Sequence, residues 1–183
     1  EDIAIQISIT NRGKDTAPIT VLPTLWFYNR WQYGGLKQRP SIKLEDDVSV
    51  HLKHERAGEY YMYFQNGADP LFTENETNFE KLYGTSNTDV VKDAFHDAII
   101  EGKNIQQLRD RKQGTKFSPV YTFNIEAGKT ETIYLRLAKH KIKDPLRDIE
   151  NLFTLRKKEA DDFYLFRYPD IHFTTDFIAV NRK

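Results

Sequence analysis

The sequence predicts a mainly β fold: an antiparallel β-sandwich of the super-sandwich type, with a long, partly helical insertion and a C-terminal helix. Three observations predict it. Apolar residues alternate with period two in the first and third quarters of the order, as in Ile3, Ile5, Ile7, Ile9 and again in Ile133, Leu135, Leu137. Between these strand patterns, about fifty residues after Asn66-Gly67 change to helical spacing. From Asp144 onward apolar residues recur at steps of three and four.

Ile3 to Ile9 places four β-branched residues on one face against Ala4, Gln6, Ser8 and Thr10, which predicts a half-buried first strand. Asn11-Arg12-Gly13-Lys14-Asp15 supplies a turn, and Ile19 to Tyr28 then reads as a more fully buried strand interrupted by Pro23. The two form either a hairpin or a crossing between sheets. Val48, Val50 and Leu52 alternate with Ser49, His51 and Lys53, Ala57-Gly58 breaks the run, and the aromatic-rich Glu59 to Gln65 returns as its partner. Within the insertion, residues 67–118, Asp89 to Glu101 fits a helix stopped by Gly102, and Ile105 to Arg111 a shorter one. Tyr121, Phe123 and Ile125, then Ala127-Gly128-Lys129, then Ile133 to Leu137 predict a hairpin. Asp144-Pro145 opens an amphipathic helix to about Tyr164, with Leu146, Ile149, Leu152, Phe153 and Ala160 on its apolar stripe. A final strand is expected through Ile178 and Val180. The domain plan is thus 1–143 for the sandwich, 144–164 for the helix and 165–183 for a C-terminal segment.

Composition narrows the function classes. Lysine plus arginine and aspartate plus glutamate both total 27, so no net field favours nucleic acid or an anionic membrane. The absence of cysteine removes disulfides, thiolate catalysis and cysteine-bound zinc together, and makes a cytoplasmic location the default without excluding the periplasm. No apolar run approaches the roughly 20 residues that span a bilayer, so neither a membrane nor a nucleic acid is expected as partner. A start at Glu1, directly before a strand pattern, suggests a piece of something longer.

Several residues carry chemistry worth weighing. Trp26, Tyr28, Trp31 and Tyr33 form an aromatic cluster; Trp26 and Tyr28 are expected to fill the core, and Trp31 and Tyr33, beside Gly34-Gly35, to be exposed and able to stack on sugar. Glu74, Asn75, Glu76 and Asn78 offer acceptors and amide donors to sugar hydroxyls, and equally suit caps and turns; both readings stay open. Asp93, His96 and Asp97 share a helix face, but such a face is more often solvated than a metal site, so no metal is assigned. Gly114-Thr115-Lys116 lacks the upstream glycine of a phosphate loop, which leaves Lys116 a weaker candidate and nucleotide binding set aside. No cofactor is called for.

Leu22-Pro23-Thr24-Leu25-Trp26-Phe27, Leu71-Phe72-Thr73-Glu74-Asn75-Glu76-Thr77-Asn78, Val91-Lys92-Asp93 with His96-Asp97, Gly114-Thr115-Lys116 and Glu159 to Tyr164 occur in order along the chain. Together with Ile9-Thr10-Asn11-Arg12-Gly13 they resemble the N-terminal region of bacterial glucosidase-like proteins of glycoside hydrolase family 63. That resemblance implies a non-catalytic β-sandwich preceding an (α/α)6 barrel, in enzymes that hydrolyse α-glucosidic bonds. It implies as partners the catalytic barrel of the same polypeptide and an oligosaccharide. The family's general acid and base lie in the barrel, so the resemblance gives this chain no catalytic residue; the pair would need to stand roughly 6.5–9.5 Å apart in an inverting enzyme. Trp31, Tyr33, Glu74, Asn75, Glu76 and Asn78 are then candidates for the substrate rim, with Asp93, His96, Asp97 and Lys116 behind them. An autonomous carbohydrate-binding module and a purely structural assembly domain are the alternatives.

Overall fold

The computed structural model describes residues 2–167. They divide into two units, one ending at Arg147 and the other beginning at Asp148. The first is a β-sandwich of two antiparallel sheets. Strands β1 (Asp2–Thr10), β4 (Ser41–Asp46), β5 (Ser49–His54), β6 (Gly58–Phe64), β8 (Gln113–Gly114) and β10 (Thr130–Ala138) form a six-stranded sheet in the order β1-β10-β6-β5-β4-β8. The second sheet is built around β9 (Lys116–Ile125), which pairs with β2 (Ala17–Val21), β3 (Leu25–Trp26) and β7 (Asp69–Thr73).

Inward side chains of both sheets make the core. Ile42, Val50, Leu52, Phe64, Ile133 and Leu135 from the large sheet meet Phe72, Phe117 and Tyr121 from the small one. Phe117 packs its ring on Phe72 at 4.9 Å and on Phe64 at 5.5 Å between centroids, so it ties the two sheets at their middle. The Tyr121 hydroxyl donates to the Gln65 carbonyl at 2.6 Å, and burial raises its phenol well above the ordinary tyrosine range despite that bond. The outer face of β7 and β9 is covered as well. Leu71 and Val120 point away from Phe72 and Tyr121 and pack with Phe95 and Ala98 of α2 (Ala94–Glu101) and Leu108 of α3 (Ile105–Asp110). Layer by layer, the unit reads sheet, sheet, helices.

Several sequence expectations change. The turn at Ala127-Gly128-Lys129 does not close a hairpin: β9 and β10 lie in different sheets, so the turn is an arch between them. The passage from β1 to β2 is a second arch, and Asn11 clamps the pair, its amide donating to the Ile125 carbonyl at 2.7 Å and to the Asp15 carbonyl at 2.8 Å. Among the described residues strand β1 pairs only with β10, over Asp2↔Ala138 to Thr10↔Thr130, and is an edge of the sheet they form. Its isoleucines are not uniformly buried: Ile7 and Ile9 reach the core, whereas Ile3 and Ile5 are exposed. The segment from Ile19 to Tyr28 is two short strands, broken at Leu22–Thr24 around Pro23, both laid along β9. Ser41–Asp46, unassigned from sequence, is a strand.

The insertion is narrower than 67–118. Residues 69–73 and 116–118 belong to the second sheet, and the chain leaves it only from Glu74 to Thr115. That excursion carries α1 (Phe79–Tyr83), α2 and α3, and its last residues, β8, pair with β4 at the edge of the other sheet. Helix α2 begins at Ala94, not Asp89, because Glu74 and Val91 form an isolated bridge that holds the preceding residues extended.

In the second unit, α4 spans Ile149–Arg167; it starts later than Asp144 and runs beyond Tyr164. Its exposed flank carries an Arg156–Glu159 pair at 2.5 Å and a Lys158–Asp162 pair at 2.5 Å. The strand expected at Ile178 and Val180 lies outside the described residues.

Candidate functional site

The motif Glu74-Asn75-Glu76-Thr77-Asn78 follows β7 directly, so sheet geometry positions its first residues. The Glu74 amide donates to the Val90 carbonyl at 2.9 Å and the Thr115 amide donates to the Thr73 carbonyl at 3.1 Å, which pins the strand end between two returning segments. Gly114 is required by this approach. A Cβ built there would stand 2.4 Å from the Thr73 carbonyl oxygen, closer than any side chain can come.

Glu74 and Glu76 are both buried. Glu74 accepts at Oε2 from the Thr115 hydroxyl at 2.7 Å and the Thr115 amide at 3.1 Å, pairs there with Arg39 at 2.8 Å, and meets Arg111 at Oε1 at 2.9 Å. Arg111 also grips Asp89 at 2.6 Å, and Arg39 reaches Glu76 Oε1 at 2.7 Å. The Trp31 indole donates to that same Glu76 oxygen at 2.8 Å, while the Arg39 guanidinium lies 5.7 Å from the Trp31 ring centre. Two guanidiniums thus hold three carboxylates in one network, which borders a cleft of about 310 Å3 lined by Arg39, Ser41, Glu74, Asp89, Arg111 and Gln113 among others. Burial alone would raise Asp89, but the hydrogen bonds from Arg111 and from the Val90 amide outweigh it and hold its carboxyl below the usual range.

The network joins pieces far apart in the chain: the segment before β4, the end of β7, the loop before α2 and the segment before β8. Its chemical role is cohesion. Both Glu74 oxygens are occupied by protein donors, so neither is open to a glycosidic oxygen.

The remaining candidates divide. Asn75 is structural: its side chain donates to the Phe27 carbonyl at 2.9 Å and its backbone amide to the Thr115 hydroxyl at 2.8 Å. Asn78 caps α1, accepting from the Lys81 amide at 3.0 Å and from the Asn87 side chain at 2.9 Å, and donates to Asp93 at 3.3 Å. His96 is exposed and stands apart from this network; among the described residues no group of three histidine, aspartate or glutamate side chains is placed to hold a metal. Lys116 donates to the Lys92 carbonyl at 3.0 Å and sits 4.7 Å from the Phe95 ring centre. Burial lowers its pKa, with Asp93 opposing.

Tyr33 is exposed as expected, on a single 3-10 turn, Trp31–Tyr33, whereas Trp31 is half-buried by its bond to Glu76. Trp26 and Tyr28 do not fill the core. They are 57% and 78% exposed, because β3 is a two-residue edge strand whose inward position is taken by Leu25, with Phe27 also packed on the core. Sequence reasoning missed Arg39, Arg111 and Asp89; each is a common residue type distant in sequence from the motif it serves, and no local spacing marks it, while Gly114-Thr115-Lys116 stands out in the sequence without revealing that Thr115 serves Glu74.

Fold and site together define an antiparallel sandwich whose helical excursion is fastened by a carboxylate–guanidinium network. The chain is similar to the uncharacterized protein YMR196W of Saccharomyces cerevisiae, 28% identical over 206 aligned residues. The match covers 89% of this chain but spans only 18% of the yeast protein. No protein-family model and no solved structure matches the chain.

Proposed function

We propose that the chain is the non-catalytic β-sandwich domain of an α-glucosidase-like glycoside hydrolase and supports a catalytic helical barrel in the same polypeptide. The observation that carries this reading is the state of the motif behind the family resemblance. Its first carboxylate, Glu74, is buried, fully occupied and braced from four sides, which suits a scaffold and not a pair of reacting groups. The match to a much longer protein is compatible with a domain working inside a larger chain. The test compares the 183-residue chain with the longest polypeptide that contains it, on p-nitrophenyl α-glucoside and on α-linked glucose disaccharides. Hydrolysis is expected only from the long form. Turnover by the short chain that vanishes in Glu74→Gln or Glu76→Gln would refute the reading, as would a reading frame that closes at Lys183.

One observation favours a second reading, a carbohydrate-binding module: Trp26, Tyr28 and Tyr33 present exposed aromatic faces of the kind on which sugar rings stack. It requires calorimetric heat with an α-glucan that falls in Trp26→Ala and Tyr33→Ala.

A further inference from the structure

The loop after β3 and the excursion enclose another pocket, of about 230 Å3. Glu76, at its wall, is 5% exposed, and both of its donors, the Trp31 indole and Arg39, reach the same oxygen, Oε1. Among the described residues nothing donates to Oε2. Glu76 thus keeps one oxygen without a protein donor at a residue that lines the pocket, where a ligand hydroxyl would take the place of water.

The rest of the lining is equally uncommitted. The hydroxyls of Thr77, Thr85, Ser86 and Thr88 make no hydrogen bond to another described residue, and Gln32 spends only its carbonyl oxygen, on Asn29 at 2.5 Å. Asn87 differs. Its oxygen accepts from the Phe79 amide at 2.9 Å and its nitrogen donates to Asn78, so it braces the wall and holds the Thr85–Thr88 hydroxyls in place. Phe79 and Val91 add apolar surface. No lysine, arginine or histidine lines the pocket, which disfavours an anion, and the one carboxylate is already paired with Arg39, which disfavours a cation.

We propose that this pocket binds one neutral pyranose unit. Glu76 Oε2 accepts from the sugar's hydroxyls, the threonine and serine hydroxyls and the Gln32 amide complete the hydrogen bonds, and Phe79 lies along its C–H face. The lining and charge select the class, a polyhydroxylated neutral ring; the choice of glucose within it rests on the function proposed above.

The test is a 1H–15N titration of the 183-residue chain with methyl α-D-glucopyranoside, and in parallel with the α-mannoside and with cyclohexanol. Shifts are expected at Gln32, Thr77 and Thr85 to Thr88, with a Kd of about 1–10 mM, as suits a small polar ligand. Cyclohexanol should leave these amides unmoved. The Thr77→Val/Thr88→Val double variant, which leaves the Glu76 partners untouched, should weaken binding at least about tenfold with an unchanged melting curve. No shift with either glycoside at about 100 mM, many times such a Kd, or equal affinity in the double variant, overturns the inference. A preference for the mannoside supports the pocket and counts against a glucosidase; a silent pocket leaves the accessory-domain reading to its own hydrolysis assay.

Discussion

Replacing Glu74 by alanine tests whether the network holds the fold. The side chain gathers two guanidiniums and two donors of Thr115, the latter residue buried. Removing it leaves the buried Thr115 hydroxyl short of an acceptor, at about 1–3 kcal/mol for a buried unsatisfied donor, while the Thr115 amide keeps the Thr73 carbonyl. The full 3–5 kcal/mol of breaking a buried ion pair is not expected. Arg111 retains Asp89, Arg39 retains Glu76, and the Arg39 side chain is 46% exposed, so water replaces part of what is lost. The sum is about 3 kcal/mol, or a fall in Tm of roughly 6–12 °C for a chain of this size. Urea unfolding followed by far-UV circular dichroism, with unchanged m, measures it. Glu74→Gln keeps an acceptor for the Thr115 hydroxyl and should cost clearly less than Glu74→Ala. A cost below about 1 kcal/mol for Glu74→Ala, less than one buried unsatisfied donor, or an equal cost for the two variants, would refute the account.

Two further outcomes follow from the same region. Gly114→Ala forces a Cβ against the Thr73 carbonyl, and moving that backbone should cost at least about 2 kcal/mol, read from the urea midpoint. The folded-state pKa of Asp89 is depressed, so its contribution is present above the unfolded carboxyl pKa and fades as pH falls through the folded value. Stability of Asp89→Asn, compared with the parent by urea unfolding at neutral and strongly acidic pH, should therefore show a smaller acid-side loss.

The strands were legible where alternation coincides with a facing sheet, as at Val50 and Leu52 or Ile133 and Leu135. The same alternation misled at Ile3 and Ile5, since period two reports a face and not what covers it. Ala127-Gly128-Lys129 has turn chemistry, but turn chemistry does not reveal whether the outgoing strand pairs with the incoming one or joins the opposite sheet. Trp26 was assigned to the core on size; the two-residue span of β3 and its edge position decide otherwise. At the site, Glu74 and Glu76 stood out in the sequence while their meaning did not. Arg111 lies 37 residues from Glu74, and a partnership across that separation exists only once β7, β8 and α3 have been placed.

The pairing of β1 with β10 has a consequence for how the chain reaches this state. Asp2 is matched with Ala138, and even the near end of the ladder joins Thr10 to Thr130. Within this unit β1 is made before its partner, and it has no place in its sheet until nearly the whole unit has followed it. Folding of such a long-range topology is slow and closes late. Until then, the exposed backbone of β1, with Ile3, Ile5, Ile7 and Ile9 alongside, is an open template for wrong pairing.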